Sequence, residues 1–98
     1  MTINKTANAG ALTLAVEGRL ETISAPELEK VVKNELGGVT ELTFDFANLD
    51  YISSAGLRVL LSAQKIMNVQ GSMKIINANE IVNEIFEVTG FSDILTVE

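Results

Sequence analysis

Apolar and polar positions alternate along the chain in blocks whose period switches between two and roughly 3.6. Thr2 to Ala7 predicts a short edge strand, and Asn8-Ala9-Gly10 is turn chemistry. Leu12-Thr13-Leu14-Ala15-Val16-Glu17 then alternates with period two, so the two segments read as a hairpin feeding a half-buried strand. Leu28, Val31, Val32 and Leu36 recur at helical spacing, and Gly37-Gly38 ends that run. Ser24-Ala25-Pro26-Glu27 in front of it fits a capping box, with Pro26 tolerated in the first turn. Ile23 is placed to staple onto Leu28.

Glu41 to Phe46 predicts a second alternating strand, with Leu42, Phe44 and Phe46 on one side and Thr43 and Asp45 on the other. Asn48 to Ile52 reads as a connection, Ser54 to Met67 as a helix, and Asn68 to Ser72 as a turn. Met73 to Ile76 is a further strand. Asn77 or Asn79 caps a third helix that carries Ile81, Val82, Ile85 and Val88 and closes at Gly90. Ile94 to Val97 predicts a last short strand. The order is β-β-α-β-α-β-α-β, an α/β chain with three main helices and a sheet of four to five strands. Strand–helix alternation implies right-handed crossovers and parallel neighbours, while the initial hairpin makes the sheet mixed. Thr13, Ala15, Thr43 and Asp45 make the second face of the strands small or polar, so the helices are expected on one face.

The second helix is the most informative element. At about 100° per residue, Gly56, Leu57, Val59, Leu60, Ala63, Ile66 and Met67 fill one broad arc. Arg58, Ser62 and Lys65 lie opposite, with Leu61 among them. An apolar residue between two basic ones is either a partner anchor or an ordinary exposed leucine. Gly56 in the first turn would let a loop or another protein's active site approach. Ser53-Ser54 stands where this helix begins. Serine is a favoured cap there, and the free N–H groups and dipole of a helix start also favour a phosphate. A phosphate on Ser54 would add about −1.5 to −2 charges. The helix start would tolerate it, whereas a partner surface shaped for a neutral hydroxyl would not.

Composition narrows the chemistry. The 98 residues suit one small domain, and 47% apolar content with 5% aromatics gives it an aliphatic core. Cysteine and histidine are both absent. Disulfides and Ser-His or Cys-His catalytic pairs are therefore excluded, and a structural zinc site loses its usual ligands. The net charge of −6 disfavours nucleic acid as a partner. Apolar runs fall short of the ~20 residues of a membrane span, so membrane insertion is not expected. Met1-Thr2-Ile3-Asn4-Lys5 does not read as a signal peptide, and a cytoplasmic location is expected. Asp45 with Asp50, and Glu80 with Glu84, pair carboxylates outside any catalytic motif. Glu80, Glu84 and Glu87 read as a solvated helix face. An enzyme is not expected.

Four segments, in order and spacing, resemble the STAS domain and, within it, the bacterial anti-sigma factor antagonists. They are Gly18-Arg19-Leu20-Glu21-Thr22-Ile23-Ser24-Ala25-Pro26-Glu27-Leu28, Leu42 to Ile52, Ser53-Ser54-Ala55-Gly56-Leu57 and Thr89-Gly90-Phe91. The third matches a signature usually written Asp-Ser-Ser/Thr-Gly-Leu. The resemblance implies that a partner anti-sigma factor with serine kinase activity phosphorylates the serine, which alignment on Gly56-Leu57 places at Ser54, with Ser53 as the alternative acceptor. The unphosphorylated form would hold the anti-sigma factor and free a sigma factor, and a phosphatase would restore that form. The nucleotide belongs to the kinase, so no cofactor is implied. Ser53 replaces the family's Asp, and Ala55 its second hydroxyl residue. The implied partner surface comprises Ser53, Ser54, Gly56, Leu57, Arg58, Leu61 and Lys65 on a monomer or weak dimer. The alternative is a STAS scaffold or accessory subunit of a signalling or transport assembly, in which Ser54 is only a cap.

Overall fold

The computed structural model describes residues 1–98. Strands β1 (Thr2–Asn8) and β2 (Ala11–Leu20) form the hairpin, followed by helix α1 (Ala25–Glu35) and strand β3 (Glu41–Asp45). Strand β4 (Leu49–Ile52), helix α2 (Ser54–Gln70), strand β5 (Ser72–Ile76) and helix α3 (Glu80–Val88) complete the regular elements. The sheet is mixed: β1 runs antiparallel to β2, while β3 and β5 extend it in parallel.

Rows of residues across this sheet explain its two faces. Leu12, Leu42 and Met73 are neighbours in register, as are Leu14, Phe44 and Ile75, and all six are buried. The opposite face carries the row Thr6, Thr13, Thr43 and Lys74, in which no residue is buried. Helix residues Leu28, Val32, Leu60, Ala63, Val82 and Phe86 join the buried strand residues in a single cluster of 24. The expected placement of helices on one face therefore holds.

Strand β2 serves two partners along one edge. Its first half pairs with β3, and beyond a register shift at Gly18/Arg19 its end pairs with β4. Gly18, at φ +96, supplies the backbone conformation that this irregularity needs. The segment expected as a mere connection, Asn48 to Ile52, thus contains a strand. Its pairing depends on a kink about thirty residues upstream, which local periodicity does not reveal. At the other end, Ile94 to Val97 is not a full strand: a 3-10 turn at Phe91–Asp93 precedes one isolated bridge between Val97 and Ile75. Helix α2 also runs three residues past the expected Met67. The Gln70 side chain donates to the Leu36 and Val39 carbonyls (2.6 and 2.7 Å), so its last turn holds the end of α1.

The α1 capping box is not formed. Ser24 has helical backbone angles (φ −92, ψ −22) instead of the extended ones a cap requires. Its hydroxyl donates to the Arg19 carbonyl at 2.7 Å and accepts the Glu21 N–H at 2.9 Å, pinning the β2–α1 turn. That turn swings Ile23 outward to 91% exposure, so the staple onto Leu28 does not form either. At α3 the cap is Asn79, whose side-chain Oδ1 accepts the Val82 N–H at 2.8 Å.

Candidate functional site

Strand β4 leads directly into α2, and the junction holds both serines. Ser53 takes the cap position in an extended conformation (φ −101, ψ 177). Its N–H donates to the Leu20 carbonyl at 2.8 Å and its carbonyl accepts the Leu57 N–H at 2.9 Å. These bonds turn the Ser53 hydroxyl inward, where it is buried without a hydrogen-bond partner. Ser54 opens the helix and is exposed. No side chain caps α2, so the N–H groups of its first turn remain open to an acceptor.

Gly56 and Leu57 belong to packing. Gly56 sits on the paired ends of β2 and β4, where a Cβ would lie 2.7 Å from Leu20 Cγ and 2.8 Å from Ile52 Cγ1. Its lack of a side chain therefore admits the ends of two strands, where a loop or another protein's active site is the expectation from sequence. Leu57 is a core residue at 4% exposure, so its side chain offers nothing to a partner. Ser54, Arg58, Leu61 and Lys65 fall on one outward stripe, at spacings of four, three and four residues. Leu61 is half-buried there and the other three are exposed.

The neighbourhood of the stripe includes residues that the partner set omitted. The Arg19 guanidinium lies 4.5 Å from the centre of the Tyr51 ring and its Nε is 3.2 Å from Glu21 Oε2. These residues, with Thr22, Ile23 and Ser53, line a shallow depression. A second depression between α1 and α2 is lined by Ala25, Pro26, Glu29, Ala55, Arg58 and others. Ser54 lies between Ser53 and Ala55, one in each depression. Ile23 is the most exposed large apolar side chain of the chain. The signal for Arg19, Glu21, Thr22 and Ile23 lay in the segment from Gly18 to Leu28, and for Tyr51 in Leu42 to Ile52, both of which carry the resemblance without a contact role for these side chains.

Electrostatically, Arg58 and Lys65 make the Ser54 stripe basic, and neither is engaged by the ion pairs of the chain. A phosphate on Ser54 would stand one turn from Arg58, at the dipole's positive end. No group of His, Cys, Asp or Glu is arranged to hold a metal ion. No helix is long and apolar enough to cross a membrane.

A mixed sheet covered by helices on one face, with an exposed serine at a strand-to-helix junction, defines the class. The chain belongs to the STAS domain family, which matches it over residues 2–98. It is 37% identical over 90 residues to BtrV of Bordetella bronchiseptica, named as a candidate anti-sigma factor antagonist; the match spans 90% of this chain and 78% of that one. Its fold matches the crystal structure of an anti-sigma factor antagonist from Mycobacterium paratuberculosis with a TM-score of 0.88 at 16% identity, over 98% of this chain and 83% of that one. It also matches the phosphorylated form of the Bacillus cell fate determinant SpoIIAA, with a TM-score of 0.77 at 15% identity, over 99% and 91%.

Proposed function

We propose that this chain is a cytoplasmic anti-sigma factor antagonist. Unphosphorylated, it binds an anti-sigma factor of the serine kinase type through the Ser54 end of α2 and so releases a sigma factor. Phosphorylation of Ser54 ends that binding, and a phosphatase reverses it. The observation that carries the reading is the contrast between the two serines: Ser54 presents its side chain to solvent, whereas the Ser53 hydroxyl is buried. A kinase needs an accessible hydroxyl, so the acceptor is Ser54 although Ser53 stands in place of the family's Asp.

The proposed mechanism acts at the interface. In the unmodified state, Arg58, Leu61 and Lys65 extend the contact along α2, and Ile23 anchors its other side. The dianion meets the open first-turn N–H groups and Arg58, so the fold keeps its shape. The partner must then desolvate a doubly charged group at the centre of the contact, which breaks the complex. The phosphoryl group comes from the partner's ATP, and this chain supplies only the serine oxygen.

Residue-resolved mass spectrometry after incubation with the cognate anti-sigma factor and ATP tests the acceptor. The expected product carries one phosphate, on Ser54. Modification of Ser53 would contradict the assignment. A chain that stays unmodified yet still binds would belong to the scaffold reading, which the replacement of the Asp by Ser53 favours.

A further inference from the structure

Helix α3 carries more apolar surface than the sheet covers. Val82 and Phe86 are its core residues, at 0% and 1% exposure. Beside them Ile81, Ile85 and Val88 form a second stripe, spaced four and three residues apart. Ile81 is 57% exposed, Val88 is 76% exposed, and Ile85 is half-buried. The next arc holds Glu80, Glu84 and Glu87 at the same spacing, all exposed and none in an ion pair. At about 100° per residue the order around the helix is core pair, apolar stripe, acidic row. Like charges at this spacing disfavour a helix, and Glu87 near the negative end of the dipole adds to that. An exposed apolar stripe and an unpaired acidic row thus run side by side along about 10 Å of α3.

We propose that this face of α3 is a second docking surface, distinct from the Ser54 end of α2, for a basic amphipathic helix of a partner protein. Aliphatic side chains of the partner would cover Ile81, Ile85 and Val88, and its Lys or Arg residues would face Glu80, Glu84 and Glu87. Charge selects this occupant. An acidic row repels an anionic membrane or a nucleic acid. A second copy docking α3 against α3 would oppose the same three glutamates. The Ser54 stripe is basic, so a segment fitted to α3 is mismatched there. The face is also preformed: Asn79 caps α3 and its side-chain N–H donates to the Leu49 carbonyl of β4 at 3.0 Å. Binding therefore requires no ordering of the helix.

The test is an NMR and fluorescence-anisotropy titration of the full chain with a synthetic amphipathic Leu/Lys helix. A scrambled peptide of the same composition and a Leu/Glu counterpart are the controls. Amide shifts are expected on α3 and the turn after it. Both controls should bind at least about tenfold more weakly. Glu84→Lys with Glu87→Lys, and separately Ile81→Ser with Val88→Ser, should each cost a similar factor. The charge pair alters only exposed residues, so it reports on binding even where the apolar pair disturbs folding. Ser54→Asp should leave the titration unchanged. Equal binding of the scrambled peptide, shifts centred on α2, no binding, or self-association dispersed by Val88→Ser would each overturn the proposal.

Discussion

Two adjacent hydroxyls at the start of α2 have opposite environments. The extended backbone of Ser53 turns its oxygen into the protein, while Ser54 one residue later faces solvent. Ser53→Ala removes an unpartnered buried oxygen, so stability in a urea melt should stay within about 0.5 kcal/mol or rise. A loss above about 1 kcal/mol would mean that the hydroxyl is bonded in solution. Ser54→Asp should separate stability from binding. A carboxylate at the helix start adds about 0.3–1 kcal/mol through the dipole, whereas affinity for the anti-sigma factor should fall about tenfold or more. Thermal melts and a binding titration on the same variant check both halves. The position of Ser54 at the helix start was legible from residue types. The inward turn of Ser53 was not, because it depends on a hydrogen bond to Leu20 at the far end of another strand.

At the scale of the element, α2 is a two-faced helix clamped at both ends. Its first turn rests on Leu20 and Ile52 through Gly56, and its last holds the Leu36 and Val39 carbonyls, just past α1, through Gln70. Gly56→Ala places a methyl group against both side chains. It should destabilise the chain by about 1–3 kcal/mol, the usual cost of overpacking, measured by chemical denaturation. An unchanged midpoint would mean that the β2–β4 end yields freely. Periodicity correctly sent Leu57, Leu60, Ala63 and Met67 inward and Arg58 and Lys65 outward. It passed over Gln64, which is 8% exposed within the apolar arc and donates to Asn68, because its polar type hides its position. The Ser24 box misled for a related reason. The spacing of Ser24 and Glu27 was right, but the backbone needed for capping is set by the turn that Ser24 itself closes.

Across the whole molecule, the one-sided helix layer and the mixed sheet followed from alternation in β2 and β3, where polar residues mark the uncovered face. Pairing with β4 did not, since Leu49–Ile52 is short and its partner is the end of β2 beyond the Gly18 irregularity. This architecture sets the charge pattern of the surface: a basic stripe along α2 from Ser54 and an acidic row on α3. A phosphate on Ser54 would lie at the rim of the core, with the open N–H groups of α2 to receive it. On the proposed reading its consequences would therefore belong to the partner more than to the fold. The most direct test is a calorimetric titration of the cognate anti-sigma factor with this chain before and after phosphorylation at Ser54, with thermal melts of both forms. The unmodified chain should bind and the phosphorylated chain should bind at least about tenfold more weakly while melting as a folded protein. Equal affinity of the two forms would contradict the switch at Ser54.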